Sequence, residues 1–263
     1  MNALNHIQLN RRSFIISGGA VAAGGLAIGL PALMGQAQAQ TVAAADSEVN
    51  VWVVVKPDDT CVIRIARSEM GQGTRTGLAQ LVAEELECDW RKVTTEMPTP
   101  GQSVARKRAW GEMSTGGSRG IRISQDYVRR GGAAARMMLL QAAANQWNVP
   151  VADVKVANGV ITHSASGKTL RYGEVAASAA KLPAPDAKSI TLKHPRDWKI
   201  AGKPLPRLDT APKVMGKQKY AIDMELPGML IAAIKASPVF GGKLVSFDAS
   251  KVLGLRGIKS VVK

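Results

Sequence analysis

Cysteine is nearly absent. Cys61 and Cys88 are the only two in 263 residues, and neither has the spacing of a metal ligand. A cysteine zinc or iron–sulfur centre within this chain is therefore excluded. Cys61 lies in an apolar run and reads as a buried thiol. A disulfide between the two is compatible with an oxidising compartment, and their spacing leaves the matter open. Aromatic residues are also scarce, at 4%. None is interleaved with the basic residues as a stripe, and no recognition motif is present, which argues against a nucleic-acid reader. A dinucleotide fingerprint is missing too, because Gly71, Gly73 and Gly77 are spaced G-x-G-x-x-x-G rather than G-x-G-x-x-G. Beyond the first 39 residues there is no transmembrane candidate.

What is present is ample apolar material, 46% of the chain, with abundant alanine and glycine suited to closely packed helices. The length allows one large or two medium domains. The formal net charge is +15. The basic residues are scattered, apart from Arg106-Lys107-Arg108 and Arg129-Arg130. Two readings stand side by side, a surface that meets an acidic partner or anionic cofactor and a plain solvated surface.

Residues 1–39 read as an address. Arg11-Arg12-Ser13-Phe14-Ile15 is a twin-arginine pattern, Ile15 to Leu33 is an uncharged, modestly apolar run, and Ala37-Gln38-Ala39 is an A-x-A cleavage site. Glycines and Pro31 weaken the competing reading as a membrane anchor. The expected destination is the periplasm, through a route that carries folded, commonly cofactor-loaded proteins. Residues 40–48 are a linker.

The chain is organised around Ser68 to Leu86. Val49–Val55 and Cys61–Ala66 read as a hairpin leading into it. Leu78, Leu81, Val82 and Leu86 then recur at helical spacing. Gly71 and Gly73 free the backbone to bend, Thr74 is an N-cap candidate, and Gln72 offers an amide that both donates and accepts. A strand, a glycine turn and a helix N-terminus together offer N–H groups to an anion. The same pattern also describes a glycine turn capping an ordinary core helix. A strand is expected at Lys92–Met97, then a polar loop Gly101–Gly120 containing Ser114-Thr115-Gly116-Gly117-Ser118-Arg119. That loop is a second candidate anion cradle, or a flexible loop with a capping serine. A long helix is expected over Ile121–Trp147, with Gly131 and Gly132 permitting close packing, and Met137 and Met138 as core filler. Val154–Thr162 is a hairpin with an Asn158-Gly159 turn, and Tyr172–Lys181 is a short helix. His163 reads as a surface residue and His194 as structural. Leu182–Pro206 is rich in proline and lysine, with Trp198 to Lys203 as a strap across the first domain. Further on, a turn at Lys213–Gly216, another at Pro227-Gly228, a strand Met229–Lys235 and a helix-then-strand over Val252–Val262 are expected.

Three segments carry a resemblance. Glu69-Met70-Gly71-Gln72-Gly73, with Ala83 to Leu86 in the following helix, resembles a pterin-binding segment of the molybdenum hydroxylases, the xanthine dehydrogenase and aldehyde oxidase family. Ser114 to Gly120 resembles the glycine–serine segment of the isoquinoline oxidoreductase branch. Asp209 to Pro238 resembles the start of that family's α/β hammerhead domain. The order is permuted, because in the xanthine dehydrogenase arrangement the hammerhead comes first.

The resemblance implies an α+β chain: a molybdopterin-binding α/β domain portion in permuted order over residues 49–182, a linker or strap over 183–208, and an incomplete α/β hammerhead domain over 209–263. It places Gly71, Gln72, Gly73, Thr74, Thr115, Gly116, Gly117, Ser118 and Arg119 against the cofactor. The implied cofactor is molybdopterin, in its cytosine dinucleotide form, with molybdenum; iron–sulfur clusters belong only to a partner subunit. The implied partners are a small two-cluster 2Fe–2S subunit, a membrane cytochrome c subunit and the remainder of the large subunit, with no nucleic acid. The implied reaction is oxidative hydroxylation of aldehydes or N-heterocyclic aromatics, with water as the oxygen source. No residue matches the family's catalytic glutamate segment, so no catalytic residue and no protein ligand to the metal is named. The competing reading is a cofactor-free secreted binding protein, or an inactive remnant that keeps the scaffold.

Overall fold

The computed structural model describes residues 45–263. The twin-arginine pattern and the cleavage site lie outside the described residues. Two small sheets and a helical layer make up the part around the two glycine bends. The first sheet has the order β1 (Ser47–Asn50), β2 (Val53–Val55), β3 (Cys61–Arg64), β4 (Val93–Glu96). β1–β2 and β2–β3 are antiparallel and β3–β4 is parallel, with Val53 opposite Ile63 and Cys61 opposite Val93. The parallel pair requires a crossover, and the central helix α1 (Thr74–Leu86) supplies it.

The expected first strand, Val49–Val55, is broken in two. The Asn50 side-chain oxygen accepts from the N–H groups of Trp52 and Val53 at 2.9 and 3.0 Å. This local turn competes with the ladder. The expected Cys61–Ala66 strand forms over its first four residues, Cys61–Arg64, and the expected Lys92–Met97 strand over its middle, Val93–Glu96.

α1 buries the face read from its spacing: Leu78, Leu81, Val82 and Leu86 are all in the core. It packs on α4 (Gln125–Trp147). Gly132 sets how close the helices come, and Gly131 admits a side chain from between β1 and β2. A Cβ on Gly132 would lie 2.5 Å from the Val82 carbonyl oxygen, and one on Gly131 would lie 2.4 Å from the Trp52 ring. The helix expected over Ile121–Trp147 is interrupted. Following α2 (Pro100–Ala105), a short α3 (Arg119–Arg122) ends before α4 starts. Ser124, at the break, is fully buried and receives Arg67 Nε at 2.9 Å and the Tyr127 hydroxyl at 2.6 Å.

The second sheet is an antiparallel meander, β5 (Val154–Ala157), β6 (Val160–His163), β7 (Thr169–Arg171), followed by α5 (Tyr172–Ala179). Asn158 and Gly159 both have positive φ, as a two-residue type I′ turn demands.

Two carboxylates of α1 bind the strap. Glu84 accepts from Lys193 Nζ and from the N–H groups of Lys199, Ile200 and Ala201 at 2.8, 2.6 and 3.1 Å. Glu85 accepts from Arg129 Nε and Nη2 at 2.9 and 2.7 Å and from the Lys193 N–H at 3.2 Å. Both glutamates are at most 1% exposed. The strap expected at Trp198–Lys203 is thus real, and its anchor begins earlier, at Lys193.

Beyond Asp209 the structure departs from expectation. Thr210–Val214 is a short helix, α6, and the expected turn at Lys213–Gly216 closes its end, with the Gly216 N–H on the Lys213 carbonyl at 3.2 Å; Ser250–Leu253 is another short helix, α7. The turn at Pro227-Gly228 forms, closed by the Met229 N–H on the Leu226 carbonyl. The strand expected at Met229–Lys235, and the one after α7, do not form. A strand needs a partner for its backbone groups, and among the described residues none pairs with these segments. Their apolar side chains are exposed, Ile231 at 95% and Ile234 at 92%.

Candidate functional site

The two glycine bends meet at Ser68, just past the end of β3. Its carbonyl oxygen accepts from Gln72 Nε2 at 2.9 Å and from the Thr115 hydroxyl at 2.7 Å. One backbone oxygen therefore receives the amide of the first bend and a hydroxyl of the second. The Ser68 N–H and hydroxyl both donate to the Met113 carbonyl at 3.0 Å. Arg67 completes the join from below. It is fully buried and reaches Ser124, the Ser114 carbonyl at 2.8 Å and the Glu112 carboxylate at 3.1 Å. A buried guanidinium needs such partners; here they draw residues 112–114 onto the end of the sheet.

The first bend differs from an open cradle in one respect. Three of its N–H groups are taken by one carboxylate. Glu69 accepts from Gly71 at 2.7 Å, Gly73 at 3.0 Å and Arg75 at 2.9 Å. The chain's own carboxylate thus sits where an anion would sit at the start of α1. Burial works to raise the Glu69 pKa, and so does neighbouring Asp209. The N–H groups of Arg75, Gly73 and Gly71 outweigh both and hold it below the usual carboxylate value. Gly71 and Gly73, at φ +102° and +88°, permit the curl that aims the N–H groups inward.

Thr74 is not the N-cap. Gly73 occupies that position in a left-handed conformation, and Thr74 is the first helical residue. Its hydroxyl accepts from Gln72 Nε2 at 2.8 Å, it is buried, and a Cβ on Gly120 would touch it at 3.0 Å. Gln72 is exposed, and its amide oxygen accepts from the Met70 N–H at 2.6 Å.

The second bend is the open one. Among the described residues, the N–H groups of Gly116, Gly117 and Ser118 and the Ser118 hydroxyl have no hydrogen-bond partner. A Cβ on Gly116 would meet nothing within 4 Å. Ser118 holds φ +55°, a left-handed conformation uncommon for a residue with a side chain. Arg119 lies beside it, with Nη2 3.3 Å from Glu112 and Nε donating to the Gly116 carbonyl at 3.3 Å. This arrangement offers three unpaired N–H groups, one hydroxyl and a nearby cation, a donor set suited to a phosphate or other anion.

A cleft of about 630 Å³ opens on the other side of the first bend. Glu69, Met70, Gly71 and Arg75 form one wall, and Arg207, Asp209 and residues 210–221 contribute the other. None of residues 115–118 lines it. Arg207 bridges the walls, donating to the Gly71 carbonyl at 3.0 Å and forming a bidentate pair with Asp209 at 2.9 Å. Hydrogen bonding from Arg207, and then from Lys213, holds the buried Asp209 carboxyl well below its usual range against the opposing effect of burial.

All nine residues expected at the site fall on these two adjoining bends. Glu69, Arg67, Ser68 and Arg207 were given no role by sequence reasoning. Only Glu69 had a readable signal, a carboxylate directly upstream of a helix start. Among the described residues there is no cluster of three or more His, Cys, Asp or Glu able to hold a metal ion.

Comparison with known proteins gives a family. A model described as the molybdopterin cofactor-binding domain matches residues 11–216. The beta chain of isoquinoline 1-oxidoreductase from Brevundimonas diminuta is 32% identical over 97% of this chain and 37% of its own length. The membrane-bound aldehyde dehydrogenase (pyrroloquinoline-quinone) of Gluconacetobacter polyoxogenes is 32% identical over 80% of this chain and 27% of its own. A nicotinate dehydrogenase component of Pseudomonas putida is 29% identical over 86% of this chain and 19% of its own. The chain thus spans well under half the length of these relatives. Among solved structures, quinoline 2-oxidoreductase from Pseudomonas putida 86 aligns with 51% of this chain and 17% of its own, at 20% identity and a TM-score of 0.38. The match to the family model covers most of the chain, including both bends and the strap, and on that ground the chain belongs to the molybdopterin cofactor-binding domain family.

Proposed function

We propose that this chain is the cofactor-binding N-terminal portion of an exported molybdenum hydroxylase large subunit. The observation that supports it most is the shared Ser68 carbonyl, which joins the amide-bearing bend to the hydroxyl-bearing bend. The residues present fit an anionic pterin cofactor: Gly116, Gly117 and Ser118 supply unpaired donors, Arg119 adds charge, and Gln72 presents an exposed amide beside them. Gly71, Gly73 and Thr74 then act by shaping the first bend, with Thr74 orienting the Gln72 amide. When bound, the molybdenum cofactor supplies the oxidative hydroxylation chemistry, and the protein supplies binding and orientation. The cytosine dinucleotide form is our reading of a cradle built for phosphate.

The remaining assignments follow the same reading. Substrates are aldehydes or N-heterocyclic aromatics, the two classes that the relatives' names divide between. The pyrroloquinoline quinone in one of those names stays with that protein. Electrons pass to a 2Fe–2S subunit, and a membrane cytochrome c subunit is a further partner. The twin-arginine leader takes the protein to the periplasm. Residues 209–263 begin the hammerhead domain, whose strands pair once the rest of the large subunit is present. A second reading, a cofactor-free scaffold, draws on Glu69, since a bend closed by its own carboxylate needs no ligand there.

The test is to purify the full-length gene product and assay molybdenum and pterin, then repeat with Gln72→Ala and Ser118→Ala. Stoichiometric cofactor in the wild type, with at least a tenfold weaker retention in Ser118→Ala, is expected, because losing one hydrogen bond to a charged group costs about 1.5–3 kcal/mol. A folded wild type free of metal and pterin rejects the proposal in favour of the scaffold.

A further inference from the structure

The only two cysteines of the chain both lie in the core. Cys61 opens β3, where it pairs with Val55 on one side and Val93 on the other. Cys88 follows the left-handed turn at Glu87 that ends α1. Both side chains are at most 2% exposed and both thiols are free. Both line one pocket, and Cys61 donates to the Asp59 carbonyl at 3.6 Å. A disulfide between them would hold the two sulfurs at about 2.05 Å.

A route to them exists. A pocket of about 250 Å³ is lined by both cysteines, with Asp59, Lys92, Asn158 and Arg171 around it. Gly159 is part of the lining, and a Cβ added to it would lie 3.9 Å from Cys88 Cα. The neighbouring Cys61 thiol, and then burial, raise the Cys88 pKa well above its usual value, so Cys88 rests protonated.

We propose that Cys61 and Cys88 form a redox site that closes an intramolecular disulfide by exchange with a small organic disulfide admitted through this pocket. One cysteine, as its thiolate, attacks the incoming disulfide and releases one thiol, giving a mixed disulfide. The second cysteine displaces the other thiol as the Sγ–Sγ bond forms. The pair loses two protons and two electrons, and the oxidant is reduced to two thiols. The new bond joins the start of β3 to the end of α1, and the enclosed segment carries the whole first bend, from Glu69 to Arg75. The restraint acts mainly by limiting the unfolded chain, so it stabilises the element that presents Gln72 without altering its native geometry.

The experiment uses the full chain as expressed, reduced, freed of reductant and incubated with glutathione disulfide as the probe. It is then acid-quenched, denatured and alkylated for intact-mass and peptide analysis. The urea-unfolded chain, incubated in parallel, sets the time needed. The expected result is that alkylatable thiols fall from two to none, the mass drops by about 2 Da, and the Cys61 and Cys88 peptides are cross-linked until dithiothreitol is added. Cys88→Ser and Cys61→Ser, each isosteric, must show no such mass drop. Two thiols persisting in the folded chain after the unfolded chain has oxidised, or glutathione adducts without a cross-link, would overturn the proposal.

Discussion

Replacing Glu69 tests whether the first bend is held by the chain's own carboxylate. The carboxylate accepts three main-chain N–H bonds, from Gly71, Gly73 and Arg75, and lies 3.4 Å from Arg207 Nη2. Removing a side chain that caps a helix start costs about 0.5–2 kcal/mol. Glu69 satisfies more donors than an ordinary cap, so Glu69→Ala is expected near the top of that range, about 2 kcal/mol for opening the bend. At about 1.36 kcal/mol per tenfold, the amides of Gly71, Gly73 and Arg75 should lose roughly 30-fold in hydrogen-exchange protection, while core amides of α4 change much less. Glu69→Gln keeps one acceptor oxygen and should fall between, with Arg75 affected most. The pH dependence carries a definite sign. The folded pKa of Glu69 is depressed, so its stabilisation is complete above the unfolded value of about 4.5 and disappears as pH falls through the folded value. Wild-type protection at these three amides should therefore collapse in acid and not in mild base. Unchanged protection in Glu69→Ala at neutral pH would refute the reasoning, leaving the glycine conformations, not the carboxylate, as what holds the bend.

Other substitutions probe the packing around the site. Gly132→Ala pushes a methyl group to 2.5 Å from a carbonyl oxygen of α1, and neither backbone can rotate away. The overpacking cost of about 1–3 kcal/mol exceeds the helix-propensity gain of about 1 kcal/mol at the upper end, so the melting temperature should fall. Gly101→Ala in α2 meets only Thr99 Oγ1 at 3.9 Å, so the same chemical change there should be neutral or stabilising by up to about 1 kcal/mol in calorimetry. Glu84→Ala leaves the Lys193 ammonium and three strap N–H groups without their acceptor, a loss of about 3–5 kcal/mol. Limited proteolysis should then cut within residues 193–201 many-fold faster. Asp59, Glu69, Glu84 and Asp209 all have lowered folded pKa values. Urea midpoints should accordingly stay flat from pH 7 to 5 and drop steeply below about pH 4.5; an equally steep loss above pH 5 would contradict these shifts.

The sequence by itself determined the elements whose signal is local. Helix α1 showed in the spacing of Leu78, Leu81, Val82 and Leu86, because helical period and one-sided burial are properties of the segment alone. The hairpin at Asn158-Gly159 showed because positive φ at both turn positions selects those residues. Gly131 and Gly132 showed that something would come close, without naming Trp52 or Val82. The family motifs marked both bends as a site. Tertiary structure decided which groups in those bends are spoken for. Spacing places Glu84 and Glu85 next to an apolar face, yet they are buried, because a strap more than a hundred residues later in the chain brings its N–H groups to them. The first bend reads as an anion cradle until Glu69 is seen to fill it, leaving the unpaired donors in the second bend at Gly116–Ser118. The strand expected at Met229–Lys235 fails for the converse reason: alternation and β-branching give a segment the capacity to pair, and pairing itself takes a second edge.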